Sequence, residues 1–329
     1  MTSLTQLAGQ SIPSTLSPQG PAAVHIASLW WITAVACGAV FLLVMVLLLV
    51  PIARELRRKR NEPEAFDIIE PGIRTAPPVS EARWIGAGGA AMPVVVLTTL
   101  FLATLITMRS MEAPAAAAGL TIEVVGHQWW WEVRYPGRGV VTANELHLPV
   151  GKPARISLRG VDVIHSLWVP QLNGKTDLIP GQHNSTWLQA DHPGHYLGMC
   201  AEFCGPQHAH MAIEVIAEDS AAFDGWMAHQ RMNAAASTES ADGARVFQDR
   251  GCGSCHSVRG TAAAGTIGPD LTHVASRAML AAGALPNHEG DVAGWIANPG
   301  AVKPGTLMPR IPMPGAELRA VARYLESLK

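Results

Sequence analysis

The sequence lacks net charge overall and lacks any charge in two long stretches. Its 329 residues include 24 Lys or Arg and 26 Asp or Glu, a formal net charge of −2. This balance argues against a polyelectrolyte role, so no nucleic-acid partner is expected. Residues 28–50 and 84–108 contain no charged side chain at all. Because about 20 apolar residues span a bilayer, these two stretches predict a transmembrane helix hairpin.

Basic residues are absent before Arg54. A secretory signal peptide normally begins with basic residues, so the first apolar stretch is a membrane span and not a signal sequence. The loop between the spans is rich in basic residues: Arg54, Arg57, Arg58, Lys59, Arg60, Arg74 and Arg83. The positive-inside rule therefore places this loop in the cytoplasm and both termini outside, together with everything after Arg109.

No internal repeat is visible. The chain divides into four segments by its composition and hydrophobic pattern. Residues 1–110 hold the N-terminal segment and the hairpin. Residues 111–231 mix β-rich segments with turn residues, which predicts an all-β sandwich or barrel followed by a short helix. Residues 232–242 form a small-residue linker of roughly 18 Å root-mean-square span. Residues 243–329 have a helical pattern, which predicts a small all-α domain.

The two exported modules carry opposite formal charge. Residues 110–231 contain seven basic and twelve acidic side chains, a difference of −5, and residues 243–329 contain nine and six, a difference of +3. Opposite charges favour encounter between the modules, although ordinary surface variation also produces such differences.

Cysteine is scarce, and its five positions fall into three groups. Cys37 lies in the first span and is interpreted as a small apolar filler. Cys252 and Cys255 precede His256 in "CGSCH", the attachment pattern of c-type haem, in which the histidine binds iron. A zinc site would need another ligand pair, and downstream only His273 and His288 remain.

The sixth haem ligand is sought in "KPGTLMPRIPMP", because Met/His ligation is typical of high-potential electron carriers. Met308 is preferred over Met313, since "PGTLMP" before a terminal helix resembles the ligand loop of class I cytochromes c. In that family a proline, here Pro269, offers its carbonyl to the second nitrogen of the haem histidine, a supporting contact outside the iron's own ligands.

The stretch "MCAEFCGPQHAHM", residues 199–211, concentrates metal ligands. A disulfide between Cys200 and Cys204 would leave His208 and Met211 unexplained, and zinc rarely takes a thioether. Thiolate, imidazole and thioether together indicate copper in electron transfer. Two thiolates can bridge two copper ions with one histidine on each. His208 is one of these, and the second is chosen as His165 in "VIHSLWVP".

These segments closely resemble the dinuclear copper (CuA) domain of cytochrome c oxidase subunit II, followed by a fused cytochrome c domain as in bacterial caa-type oxidases. The resemblance covers nearly the whole chain, "GHQWWWEVRY" and "GKTDLIPG" included. It implies a two-helix hairpin, a cupredoxin-like sandwich and a class I cytochrome c domain. It implies copper ligands His165, Cys200, Cys204, His208, Met211 and the Glu202 carbonyl.

The resemblance also implies roles for three side chains. The carboxylate of Glu202 would reach a magnesium ion at the interface with subunit I. Trp129, the first ring of the Trp-Trp-Trp run, would be the residue through which electrons enter the copper centre. Glu81 would lie at the mouth of a proton channel, although a solvated interfacial carboxylate is the competing interpretation.

The implied function is that of the electron-accepting subunit of a respiratory terminal oxidase, cytochrome-c oxidase, in the bacterial inner membrane. Electrons would come from cytochrome c or an upstream respiratory complex, and oxygen reduction with proton pumping would occur in subunit I. Other membrane subunits and the lipid bilayer are further expected partners. The alternatives are a CuA-type nitric oxide reductase subunit, a free-standing redox carrier, and a quinol oxidase subunit without copper, which the intact ligand set argues against.

Overall fold

The computed structural model of the chain describes residues 13–61, 81–235 and 240–329. It contains two compact units. One unit is the helical segment His25–Glu112, and the other combines the residues before it with Ala113–Lys329. The second unit carries both exported modules.

Two long apolar helical segments occupy the N-terminal third of the described chain. Helix α1 is Pro21–Asn61. Helix α2, Glu81–Trp84, continues through a π-helical segment, Ile85–Ala91, into α3, Met92–Ser110. Two helical stretches, Pro21–Asn61 and Ala82–Ser110, are long and apolar enough to cross a membrane. Their mean hydropathies are 3.0 and 2.1. They contain the two predicted spans, so the expected pair of candidate membrane helices is confirmed.

The β-rich module, residues 111–231, contains a sandwich of two five-stranded sheets. Its strands are β1 (Thr121–His127), β2 (Trp130–Tyr135), β3 (Val140–Ala143), β4 (Glu145–Pro149), β5 (Ala154–Gly160), β6 (His165–Trp168), β7 (Thr176–Leu178), β8 (Asn184–Leu188), β9 (Gly194–Cys200) and β10 (Ala212–Glu218). One sheet has the order β3-β2-β1-β5-β8 and the other β4-β10-β9-β6-β7. The predicted all-β sandwich is therefore confirmed, and α4, Ser220–Gln230, follows it.

Alternating burial along the strands explains the sandwich. In β2 every second side chain, beginning with Trp131, is buried, and β5 alternates in the same way. Residues at this spacing point to one face of a sheet, so both sheets close over a shared apolar core. Tyr135 fixes one corner, because its hydroxyl donates to the His147 carbonyl at 2.8 Å and accepts from the His147 amide at 2.8 Å.

The C-terminal module is a small helical domain, as predicted. Its helices are α5 (Ala241–Asp249), α6 (Glu289–Ala297), α7 (Pro299–Val302) and α8 (Gly315–Ser327), with a short hairpin of β11 (Met279–Leu280) and β12 (Leu285–Pro286). Phe247 of α5 and Tyr324 of α8 meet edge to face with ring centroids 5.6 Å apart. The domain closes around this contact with its own apolar core.

The segment predicted as a linker, residues 232–242, is bonded to the helical domain near its start. The amide of Ala234 donates to the Arg259 carbonyl at 3.0 Å, and a ring nitrogen of His273 lies 3.2 Å from the Met232 carbonyl. Residues 236–239 lie outside the described part, and α5 already begins at Ala241. Both described ends of the predicted linker are therefore attached to the helical domain.

Candidate metal and haem sites

The predicted copper ligands meet at one end of the second sheet. His165 opens β6, and Cys200 closes β9, whose partner across the ladder is β6. The loop from β9 to β10, residues 201–211, carries the remaining candidate ligands and is called the copper loop below. It is closed by a 3.0 Å bond from the Cys200 amide to the Met211 carbonyl, and the Ala201 amide bonds to Ser166 of β6 at 2.9 Å. Strand pairing thus brings a histidine 35 residues away against the loop.

The ligand atoms of this cluster face one another. The two sulfurs of Cys200 and Cys204 are 3.7 Å apart. The Nδ1 atom of His165 is 3.9 Å from the Cys200 sulfur, and the Nδ1 atom of His208 is 3.7 Å from the Cys204 sulfur. The Met211 sulfur is 3.8 Å from that of Cys204. Each histidine therefore presents one nitrogen to one sulfur.

This geometry favours a metal site over a disulfide at the two cysteines. A disulfide would bring the sulfurs to about 2.05 Å, and both cysteines are free here. Metal–thiolate bonds are about 2.3 Å long, so sulfurs 3.7 Å apart can both bind the same ion. His165, Cys200 and Cys204 form a buried group able to hold a metal. The thioether of Met211, 3.8 Å from the Cys204 sulfur, fits copper better than zinc, whose sites are normally built from cysteine and histidine.

The two thiols are electrostatically coupled before any metal binds. A hydrogen bond from Cys204 lowers the pKa of the Cys200 thiol far below its ordinary value, and the His165 ring acts in the same direction. Cys200 in turn raises the pKa of Cys204. One thiol of the pair therefore ionises readily, which favours metal binding because only thiolates act as ligands.

Asp162 supports the cluster from outside, and the sequence did not single it out. Its Oδ1 lies 2.8 Å from Nε2 of His165, which leaves Nδ1 directed at the sulfur. The same carboxylate accepts from the amides of Val163 at 2.7 Å and Gln128 at 2.6 Å. A ligating histidine that donates its other N–H to a carboxylate is fixed in tautomer and orientation. The available signal was an aspartate three residues before the histidine.

The main-chain carbonyl and the side-chain carboxylate of Glu202 point in different directions. Its carbonyl oxygen is 3.2 Å from the Cys200 sulfur, inside the cluster. Its carboxylate points outward and lies 3.9 Å from the ammonium of Lys175. His210 is exposed and turned away, with Nδ1 2.9 Å from the side-chain oxygen of Gln207, in agreement with its exclusion from the ligand set.

The haem-attachment residues line one large cavity. Cys252 and Cys255 bracket a short 3₁₀ turn, and His256 follows them. His256 and both cysteines border the cavity. The Nδ1 atom of His256 lies 2.8 Å from the Pro269 carbonyl, as predicted, which leaves Nε2 for a metal. Burial lowers the pKa of His256, so the ring is neutral and able to ligate.

The loop that carries Met308 and Met313, residues 303–313, is called the haem loop below. Its position favours one of the two methionines as the sixth ligand. Met308 borders the same cavity as His256, whereas Met313 packs against the apolar core of the domain without lining the cavity. Met308 therefore stays the preferred prediction for the sixth haem ligand. The cavity is large, apolar and open to the two thiols, so it fits a covalently held haem.

The copper module forms part of the wall of the haem cavity. Trp129, Trp130 and Asp162 border it beside the residues of the helical domain. The indole N–H of Trp129 donates to the Cys204 carbonyl at 2.9 Å. The same ring approaches Gly305 of the haem loop so closely that a Cβ there would lie 3.3 Å from it. One ring therefore contacts the copper loop and the haem loop.

Two glycines with left-handed backbones permit this position of Trp129. Gly205 of the copper loop has φ +116°, and a Cβ there would lie 3.0 Å from the indole. Gly305 has φ +89° on the other side of the ring. Side chains would crowd the ring at both positions, and L-residues rarely adopt such dihedrals. The main-chain NH and carbonyl groups of both loops can therefore approach the indole closely.

Comparisons with known proteins identify the family of both exported domains. The family model for the cytochrome c oxidase subunit II periplasmic domain matches residues 137–218, and the cytochrome c model matches residues 240–329. Cytochrome c oxidase subunit 2 of Alkalihalophilus pseudofirmus is 32% identical, over 99% of this chain and 94% of its own. The chain belongs to the cytochrome c oxidase subunit 2 family. It is thus a subunit of a haem-copper terminal oxidase, and its two domains imply CuA copper and haem c.

Two further proteins are similar to parts of this chain. A quinol oxidase subunit 2 of Bacillus cereus is 30% identical over 69% of this chain and 76% of its own. The periplasmic domain of cytochrome oxidase subunit II (CoxB) of Bradyrhizobium japonicum is 33% identical, with a TM-score of 0.35, and covers 36% of this chain and 96% of its own. The assembled thiol–imidazole–thioether cluster and the "CGSCH" haem cavity favour a copper-containing cytochrome c oxidase over a quinol oxidase.

Proposed function

We propose that this subunit receives electrons at a covalent haem c and delivers them through a dinuclear copper centre to subunit I, where oxygen is reduced to water and protons are pumped. The observation that carries the proposal is the position of Trp129, whose ring contacts both the haem loop and the copper loop. A ring held there provides a continuous packed path between the two sites.

We assign the metal and haem ligands from the geometry of the described residues. Copper would be held by Cys200, Cys204, His165, His208, Met211 and the Glu202 carbonyl. Haem would be attached to Cys252 and Cys255 and ligated by His256 and Met308. When bound, the two groups supply reversible one-electron chemistry in a site from which water is largely excluded.

The chain's own residues prepare these sites. Asp162 holds the His165 ring with Nδ1 facing Cys200, and Pro269 holds the His256 ring with Nε2 free. The ligand side chains of the copper cluster are largely buried; His165, for example, has no exposed surface. Rigid, desolvated ligands change little when a metal changes charge, which suits fast electron transfer.

The remaining roles concern the membrane partners. We propose that the outward carboxylate of Glu202 helps bind magnesium at the subunit I interface. We propose that the hairpin spans the bacterial inner membrane, with both termini and both redox domains on the outer side. The donor would be cytochrome c or an upstream respiratory complex. Helix α2 begins at Glu81, whose side chain lies outside the described part, and its place at a proton-channel mouth stays a proposal.

The domain bounds stay a proposal as well: 1–110 for the segment with the hairpin, 111–231 for the copper domain, 232–242 for the linker and 243–329 for the cytochrome c domain. The helix that begins at Ala241 suggests that the last of these starts slightly earlier than predicted.

Purification of the subunit with its large membrane partner tests the proposed function. We expect an electron paramagnetic resonance signal of a mixed-valence copper pair beside low-spin haem c, and oxygen consumption driven by a cytochrome donor. Nitric oxide consumption without oxygen consumption would instead assign the complex to the reductase alternative. Isolation of the chain without any haem-containing large subunit would identify it as a free-standing carrier.

A further inference from the structure

A single buried lysine joins the cytochrome domain to the copper domain. Lys303 is 3% exposed, although lysine is almost never buried without partners. Its ammonium donates three hydrogen bonds to carbonyl oxygens, to Trp129 at 2.7 Å, His210 at 2.8 Å and Ala281 at 3.0 Å. Burial lowers the pKa of Lys303 to about 7, and in the ammonium form each of its three N–H donors has a partner.

The three carbonyls belong to three different segments of the chain. The Trp129 carbonyl belongs to the residue whose ring contacts both loops. The His210 carbonyl lies in the copper loop, one residue before Met211. The Ala281 carbonyl lies in the turn of the cytochrome-domain hairpin. Lys303 itself precedes Pro304 and Gly305, which lead into the Met308 loop, so its backbone is tied to the haem side.

We infer that Lys303 is a positioning residue that fixes Trp129 and the copper loop against the haem loop, so that the cytochrome domain works docked and not as a freely tethered carrier. The inference rests on the proposed function for its electron-transfer consequence. The contacts that carry it are independent of that function.

Further hydrogen bonds join the two domains around Lys303. The amide of Ala212 in β10 donates to the Ala282 carbonyl at 3.0 Å. The side-chain amide of Gln207 donates to the Pro304 carbonyl at 3.0 Å. Ala281 and Ala282 have φ of +51° and +57°, which non-glycine residues rarely adopt. The hairpin turn is thus shaped to direct two successive carbonyls into the interface.

Docking also has a consequence for the external donor. Trp129 is only 7% exposed, and Lys303 and Gly305 of the cytochrome domain are among the residues that lie against it. A soluble donor therefore cannot reach this ring while the domain is docked. Every electron must first be accepted by the cytochrome domain, which makes that domain the obligatory acceptor of this subunit.

The experiment replaces Lys303→Met in the full chain, because methionine keeps the apolar stem and removes all three donors. Lys329→Met is the matched control, since Lys329 is an exposed lysine of the same domain. Two quantities are measured on the copper- and haem-loaded proteins. One is oxidative labelling of Trp129 by hydroxyl radicals, read by mass spectrometry, and the other is the rate of electron transfer from haem to copper after rapid haem reduction.

We expect Lys303→Met to increase Trp129 labelling severalfold and to slow the internal transfer at least about tenfold. Each buried carbonyl that loses its donor costs on the order of fivefold in an equilibrium constant, and three lose theirs. The haem and copper spectra should be unchanged, and Lys329→Met should match the wild type in both measurements. Wild-type labelling and wild-type transfer in Lys303→Met would overturn the inference.

Two further results separate the inference from the proposed function. If Lys303→Met fails to load haem or copper, Lys303→Gln carries the same test, because glutamine is neutral and shorter but retains two donors. It should raise Trp129 labelling and slow the transfer less than methionine would, and wild-type values for both would overturn the inference. If the wild type itself transfers no electron from haem to copper, the proposed function fails, whereas the Trp129 labelling result still decides whether Lys303 docks the domain.

Discussion

Removal of the Asp162 carboxylate is expected to weaken copper binding without removing any ligand. In Asp162→Ala the His165 ring loses the 2.8 Å contact that directs Nδ1 at Cys200, and two backbone amides lose their acceptor. Loss of such a supporting partner typically lowers metal affinity about 10- to 100-fold, or roughly 1.4 to 2.8 kcal/mol. The cluster should therefore still assemble, but with weaker binding and a less ordered histidine.

Asp162→Asn separates orientation from charge. If the asparagine oxygen accepts from His165 and Val163, its amide group faces the Gln128 N–H, donor against donor, where the carboxylate now accepts at 2.6 Å. One bond is thus lost and two are kept. We expect a copper affinity between those of the wild type and Asp162→Ala, because the contact that orients His165 is kept while one bond to the backbone is lost.

The assay is a competition titration of the full-length protein against a copper chelator of known affinity, with electron paramagnetic resonance of the loaded site. Asp224→Ala is the matched control, because Asp224 is an exposed aspartate on α4 of the same domain. If Asp162→Ala bound copper within about threefold of the wild type and gave the same resonance signal, the supporting role assigned to this carboxylate would be refuted.

Three further predictions follow from other parts of the structure. Met308→Leu should convert the haem from low to high spin in an absorption spectrum, whereas Met313→Leu should leave it low spin, and the reverse result would exchange the two assignments. Tyr135→Phe should lower the free energy of unfolding by about 1 to 3 kcal/mol in urea, because two buried main-chain groups lose their partner. Burial opposes charge on His147, but two neighbouring carboxylates raise its pKa above the ordinary value. The stability it contributes is complete below about pH 6.5 and is lost as pH rises through the raised pKa, so urea midpoints should fall over that range in the wild type and less in His147→Gln.

Local spacing explains why so much of the site could be predicted from the sequence. Cys200, Cys204, His208 and Met211 lie within one loop, and "CGSCH" lies within one turn, so chemistry and proximity are both readable along the chain. His165 was harder, because its approach depends on the pairing of β6 with β9. It opens β6 directly after a loop, and the segment "VIHSLWVP" was the signal that the sequence offered.

The residues that sequence reasoning missed act across long separations. Asp162 bonds to Gln128 as well as to His165, and its position three residues before His165 is the one signal in its immediate sequence. Lys303 contacts Trp129 across 174 positions. Its one sequence signal is that no other lysine lies between Lys175 and Lys329. Such contacts depend on how two domains dock, and composition reports only that their charges are opposite.

The docked interface changes what the tether contributes. A flexible linker alone holds its domain at an effective concentration on the order of millimolar, so the docked fraction depends on the affinity of the interface. An interface that buries an ammonium with all three donors satisfied, and closes further backbone bonds around it, is built for persistent contact. Persistent docking removes repeated encounter from the internal electron path, and it also closes Trp129 to outside donors. Exchange of the external donor then occurs only at the cytochrome surface, so substitutions on the copper domain away from the interface should leave donor affinity unchanged.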